Sequence, residues 1–117
     1  MPEITRLHPT VRMHQVVIHN GTIYTAGQVA EANAGDSIEA QTREILERID
    51  ALLAEAGSAK NRILTAYVYL ADIADFAGMN SVWDAWVAPD GKPVRTTIEA
   101  RLTDPAFKVE IGVIAAV

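Results

Sequence analysis

The eight residues from Ile63 to Leu70, with Tyr67-Val68-Tyr69 among them, are apolar at almost every position. A strand that is apolar on both faces belongs in the middle of a sheet covered on each side, so the fold has to be built around this segment. Partner strands are readable before and after it. Gln15 to His19 and Thr22 to Gln28 are rich in β-branched and aromatic residues. Asn20-Gly21 joins them, and that dipeptide favours a tight type I′ turn, so a hairpin opens the fold. Further on, Val94, Thr96, Ile98 and Ala100 alternate with Arg95, Thr97, Glu99 and Arg101, which predicts a strand of two chemically different faces. After a turn containing Asp104-Pro105, a final strand is expected. Phe107, Val109, Ile111, Val113 and Ala115 form its apolar face, with Lys108, Glu110 and Gly112 opposite.

Two segments carry helical spacing instead. Asp36-Ser37-Ile38-Glu39 reads as a capping box, with the cap at Asp36 and a carboxylate three positions later at Glu39. Ile38, Ile45, Leu46, Ile49, Leu52, Leu53 and Ala56 then recur on one helix face, and Gly57 supplies the left-handed residue that stops it. Asp72, with Asp75 after it, caps a second helix whose Phe76, Met79, Trp83, Trp86 and Val87 share a face, ended by Pro89-Asp90-Gly91. At this spacing Trp83 and Trp86 are read as packing residues, with stacking on a ligand as the functional alternative.

The resulting order, β-β-α-β-α-β-β, contains no repeat and no linker and describes one α+β domain over residues 1–117, a single sheet packed on two helices. A chain of this length buries only about two-thirds of its unfolded surface. The sheet face away from the helices is too apolar to be left bare, which suggests that sheets from several copies pack into a barrel-like oligomer.

Composition removes several functions. Asp and Glu outnumber Lys and Arg by 15 to 10, and cations such as Arg12, Lys60 and Arg62 form no stripe, so nucleic acid is not an expected partner. Cysteine is absent, which excludes disulfides and a thiolate nucleophile. His8, His14 and His19 lack metal-ligand spacing, and Ser37, Ser58 and Ser81 sit in no nucleophile elbow, so neither a metal site nor a serine triad is expected. No run approaches the roughly 18 apolar residues of a membrane helix, and Met1 to Arg6 lacks the apolar core of a signal peptide, so no membrane partner and a cytoplasmic location are expected.

If the last two strands form an antiparallel hairpin turning at Leu102-Thr103, Arg95 lies across from Glu110 and Thr97 across from Lys108. Such a pair can be a solvent-exposed ion pair contributing under about 1 kcal/mol. It can equally be a site in which Arg95 offers its planar fork to a carboxylate while Glu110 handles protons or orients water.

Three motifs favour the second reading. Tyr24-Thr25-Ala26-Gly27-Gln28, then Asp75-Phe76-Ala77-Gly78-Met79-Asn80, then Pro93-Val94-Arg95-Thr96-Thr97-Ile98-Glu99 with Lys108-Val109-Glu110-Ile111, resemble in order the motifs of the RidA (YjgF) family. The resemblance spans the whole chain. It implies a chorismate-mutase-like fold, a homotrimer with three clefts between subunits, and no cofactor. The implied activity is hydrolysis of 2-iminobutanoate and 2-iminopropanoate, or their enamine tautomers, to 2-oxo acids and ammonia. By the same resemblance Arg95 would clamp the carboxylate and the backbone of Gly27 and Thr97 would contact the ligand. Asn80 would stand at the rim of the cleft, and Glu110 would activate water. The chain reads Arg12-Met13-His14-Gln15 where the best-studied members have Pro-Tyr-Ser-Gln, and Ala26 where they have serine. Its segment from Asn80 to Arg95 is also shorter, so the cleft differs in shape, as in a less characterised branch. A trimer that only binds a small carboxylate such as a 2-oxo acid, as a metabolite sensor or chaperone-like protein, is the alternative of a different class.

Overall fold

In a computed structural model, which describes residues 3–117, Ile63–Leu70 forms the expected strand and occupies the interior of a single sheet. In chain order the elements are β1 (Ile4–Pro9), β2 (His14–His19), β3 (Thr22–Thr25), β4 (Gln28–Val29), α1 (Ile38–Glu55), β5 (Ile63–Leu70), α2 (Phe76–Trp86), β6 (Val94–Glu99) and β7 (Val109–Ala116). The sheet runs β1-β2-β3-β7-β5-β6, and the two-residue β4 also pairs with β7. Both helices lie over one face of the sheet. Ile45, Leu46, Ile49 and Leu53 of α1 and Met79 and Trp83 of α2 join Ala66, Val68 and Leu70 of β5 and Val109, Ile111 and Val113 of β7 in one buried cluster.

The opening hairpin forms as its turn chemistry dictates: Asn20 and Gly21 both take left-handed φ values, 56° and 80°, and Val17 pairs with Tyr24. The first helix starts one residue later than its capping box suggests. Ser37, not Asp36, is the cap, its Oγ accepting from the Ala40 N–H, because Asp36 is held in the preceding turn through its own N–H to the Asn33 carbonyl. Asp72 does cap, but the element it caps is a single 3₁₀ turn, Ile73–Asp75, and α2 proper begins at Phe76. The sequence order also lacked β1, which pairs antiparallel with β2.

The expected hairpin of the last two strands does not exist. β6 is an edge strand lying parallel to β5, Arg95 pairing with Ala66 and Thr97 with Val68, whereas β7 lies antiparallel on the other side of β5, Glu110 pairing with Tyr69. The helix α2 supplies the crossover that a parallel pair requires. The chain then passes over the end of β5, with the Ala100 N–H donating to the Leu70 carbonyl and the Ala71 N–H to that of Lys108. This order gives the most apolar strand a hydrogen-bonded neighbour on each side and leaves the polar alternation of β6 at the edge.

The connection into β7 is anchored by a residue whose role the helical pattern did not reveal. Gln41 is fully buried in α1 and holds the 106–108 segment at both ends of its amide: Nε2 donates to the Ala106 carbonyl at 2.9 Å, and Oε1 accepts from the Lys108 N–H at 2.8 Å. Leucine at position 41 fills similar volume but strands a buried donor and acceptor. Gln41→Leu is therefore expected to cost roughly 1–3 kcal/mol, seen as a lower urea midpoint at matched protein concentration with little change in slope.

Candidate active site

The candidate residues fall into two groups that the sheet keeps apart. In the first, Arg95 projects from the edge strand β6 to the helix side, on the same face as buried Ala66 and Val68. Its guanidinium carbon lies 5.0 Å from the ring centroid of Trp83 and 5.9 Å from that of Phe76, and Nη1 lies 3.9 Å from the Met79 sulfur. These side chains recur at helical spacing along α2, and their rings present π faces to the cation. Burial lowers the pKa of Arg95 against a smaller opposing pull from the Asp84 carboxylate, yet a guanidinium stays charged. Among the described residues Arg95 makes no ion pair. A half-buried cation is thus held in place with its fork unused.

Thr97 lies two residues further along the same face of β6, half-buried beside Val68. Asn80 sits on the α2 face that carries Phe76, Met79 and Trp83, and its buried Oδ1 has no hydrogen-bond partner among the described residues. Trp83 is buried as a packing residue should be, but it also forms the shelf under Arg95. Trp86, tilted against it at 5.4 Å, donates its indole N–H to Asp50 at 2.9 Å. The spacing of these aromatic residues was readable, whereas their service to an arginine on another strand was not.

The second group is Gly27 and Glu110. Gly27 lies in the bulged passage between β3 and β4, where Thr25 bonds β7 through its side chain, Oγ1 accepting from the Val113 N–H at 3.0 Å. A Cβ at Gly27 would collide with the Glu110 carboxylate, so the side chain of Glu110 can lie where it does only because this position is glycine. Burial raises the pKa of Glu110. Two concavities meet at this pair. One, lined by Tyr24, Tyr67, Tyr69 and Gly112, lies on the open face of the sheet, and the other is lined by Met13, Gln15, Gln28 and Arg48.

Arg95 and Glu110, expected to face each other across a hairpin, are in fact separated by β5 and point to opposite faces of the sheet. Two strand spacings, roughly 10 Å, part β6 from β7, and the register displaces Arg95 three residues, again roughly 10 Å, from the position level with Glu110. Within one chain they cannot grip one small molecule.

The chain matches the protein family described as Endoribonuclease L-PSP over residues 3–117. It is 48% identical to a RutC family protein of Haemophilus influenzae over 112 residues, 96% of this chain and 97% of that protein. It is also 48% identical to the RutC family protein YoaB of Escherichia coli K12, over 97% of this chain and 98% of the other. Among solved structures, a YjgF family member from Neisseria meningitidis superimposes with a TM-score of 0.94 at 43% identity, covering 97% of this chain and 94% of that one.

Substituting Gly27 tests the second group. Gly27→Ala is expected to swing the Glu110 carboxylate out of its place, visible in a crystal structure of the variant. The thermal midpoint should move little, because the obstructing atoms belong to a half-exposed side chain and the cost stays within about 1 kcal/mol.

Proposed function

Because the chain belongs to the Endoribonuclease L-PSP family, which includes the RutC and YjgF proteins it matches, we propose that it hydrolyses reactive 2-imino acids and their enamine tautomers to 2-oxo acids and ammonia. The observation that carries this reading is the Arg95 guanidinium, half-buried on the shelf of Phe76, Met79 and Trp83 and without an anionic partner among the described residues. Such a fork is suited to a carboxylate, which it can take through two parallel N–H···O bonds. Substrates of the class of 2-iminobutanoate and 2-iminopropanoate supply that carboxylate next to an electrophilic carbon.

The separation of Arg95 from Glu110 supports a site built from two copies of the chain. The open face of the sheet carries Tyr24, Tyr67, Val94 and Ile98, with Val94 71% exposed, an apolar surface that favours association. In the proposed homotrimer Arg95 and Thr97 of one subunit, with Asn80 at the rim, meet Gly27 and Glu110 of the next, giving three equivalent clefts.

The chemistry asks little beyond position. A protonated imine is already electrophilic, and fixing it beside a held water removes most of the entropic barrier. Glu110 takes a proton as the water oxygen bonds to the imine carbon, giving a tetrahedral amino alcohol. Glu110 then returns its proton to the amino group, and as the C–N bond breaks the hydroxyl proton passes through Glu110 to the departing ammonia, leaving ammonium and the carbonyl of the 2-oxo acid. No electron is gained or lost. Ribonuclease chemistry, despite the family description, suits the chain less well, since its formal charge of −5 repels a polyanion.

Release of 2-oxo acid from freshly generated 2-iminobutanoate and 2-iminopropanoate tests the reading. Glu110→Gln is expected to lower kcat by roughly 10²- to 10⁴-fold, the usual range for a removed proton acceptor. Arg95→Ala is expected to raise KM by roughly 10- to 100-fold through loss of charge-assisted bonds. If the wild-type protein and both variants all leave the buffer rate unchanged, the chain is a carboxylate-binding protein and not a deaminase.

The pH profile gives a separate check. Only ionised Glu110 accepts a proton, and burial holds its pKa above the ordinary 4.5. On its acid limb the rate should therefore fall as pH drops, with a midpoint above 4.5 that disappears in Glu110→Gln.

A further inference from the structure

Beside Glu110 stands an amide whose direction is fixed by its neighbours. Gln28, at the start of β4, is 3% exposed, and its Nε2 donates twice, to the Ala26 carbonyl at 3.0 Å and to Gln15 Oε1 at 2.8 Å. A backbone carbonyl can only accept, so the Gln28 atom that faces Ala26 has to be its NH2 group. The same nitrogen faces Gln15, whose nearer atom must then be the oxygen, since two amide NH2 groups cannot bond each other. Gln15 therefore turns its own NH2 group away from Gln28, and among the described residues that group donates to nothing. It is not sealed off, because Gln15 is half-buried and lines the same concavity, of about 370 Å³, as Gly27 and Glu110.

Both groups are tied to one short stretch of backbone. The Gln15 carbonyl accepts from the Ala26 N–H at 2.8 Å, and the Glu110 carboxylate lies where a Cβ of Gly27 would be. Their chemistry is complementary: ionised Glu110 only accepts hydrogen bonds, and the free end of Gln15 only donates them. A water satisfies both at once, its oxygen accepting from Gln15 while one O–H donates to the carboxylate. At roughly 30 Å³ per water the concavity has room for one and for a small ligand beside it.

We propose that Gln15 and Glu110 together hold the hydrolytic water, with Gln28 setting the direction of the Gln15 amide. The inference rests on the reading of Glu110 as the proton acceptor in imine hydrolysis. A water that accepts from Gln15 and donates to Glu110 keeps its second lone pair for the imine carbon. As that lone pair forms the C–O bond, the proton shared with Glu110 passes to the carboxylate, and the other O–H bond stays in the amino alcohol. Gln15 neither gains nor loses a proton. It acts by restricting the direction from which the water approaches.

Crystallography and turnover separate the water site from the reaction. In crystals of the wild-type protein an ordered water is expected within roughly 2.7–3.2 Å of both Gln15 Nε2 and the Glu110 carboxylate, and Gln15→Leu should lose it. In 2-oxo acid release from 2-iminobutanoate, Gln15→Leu should lower kcat roughly 10- to 100-fold with KM unchanged, since the grip of Arg95 on the carboxylate is untouched. Gln15→Glu discriminates further. Its carboxylate still accepts from Gln28, so a role confined to holding Gln28 survives, but it has no N–H to offer the water. Above the acid limb its kcat should be as low as that of Gln15→Leu. Wild-type kcat in either variant overturns the proposal, as does a wild-type crystal structure with no water bridging the two groups. A raised KM with kcat intact overturns it too, because Gln15 then binds substrate. A bridging water that Gln15→Leu removes, in a protein that hydrolyses no imine, would keep Gln15 as the holder of that water and remove the deaminase reading.

Discussion

The site is shaped first by the placing of β5 between β7 and β6. Its core-facing residues Ala66, Val68 and Leu70 are completely buried, and hydrogen-bonded neighbours on both edges satisfy its backbone. That requirement inserts a strand between the two that carry Arg95 and Glu110. Because side chains alternate along each strand, the registers then send the arginine towards the helices and the glutamate towards the open face. The distance between the two groups is thus a consequence of burying the most apolar strand, and any joint action by them calls for a second chain.

Each group is prepared by its surroundings in a different way. Arg95 exchanges part of its hydration for the faces of Trp83 and Phe76 and the sulfur of Met79, contacts that favour the cation without neutralising it. An aspartate or glutamate in their place would have consumed the fork. Glu110 is pressed against the backbone at Gly27, where a side chain would displace it, and desolvation there disfavours its charge. The two environments push in complementary senses: one preserves an unpaired positive charge for an anion, and the other makes a carboxylate readier to accept a proton.

The features legible in the sequence were those set by short-range chemistry. Asn20-Gly21 announced its turn because few other residues tolerate two successive left-handed conformations. The α1 face and the alternation of β7 announced themselves through period, and Ile45, Ile49, Val109 and Ile111 are indeed buried. Pairing was not legible in the same way. Alternation in β6 and β7 is the same whether the strands adjoin each other or flank a third, so the sequence supplied faces but no neighbours. The edge strand β1 hid for the opposite reason: Thr5, Arg6 and His8 are exposed or polar in it, and no apolar face marks it out. Gly27, Asn80 and Thr97 were singled out by motif resemblance, which also chose the functional reading of Arg95 and Glu110 that strand alternation had left open. The π shelf beneath Arg95 and the clasp made by Gln41 depend on contacts between distant segments, which no local pattern encodes.

In the proposed assembly, association and proton chemistry would be linked through the open face. That face carries Tyr67 and Ile98 beside the half-buried Glu110, so covering it with another copy would remove water from the carboxylate as well as from the apolar groups. Further desolvation alone would push the Glu110 pKa higher still and cost free energy whenever the group is ionised. A neighbouring chain that contributed only apolar surface would therefore oppose the ionised base it helps to enclose. One that also brings an unpaired guanidinium within a few ångströms offsets this cost, since an opposite charge favours the carboxylate. When a substrate carboxylate then takes up that guanidinium, its positive field at Glu110 weakens and the glutamate becomes a stronger base. Ligand binding in such a cleft would thus raise the basicity of Glu110 at the moment a proton has to be accepted.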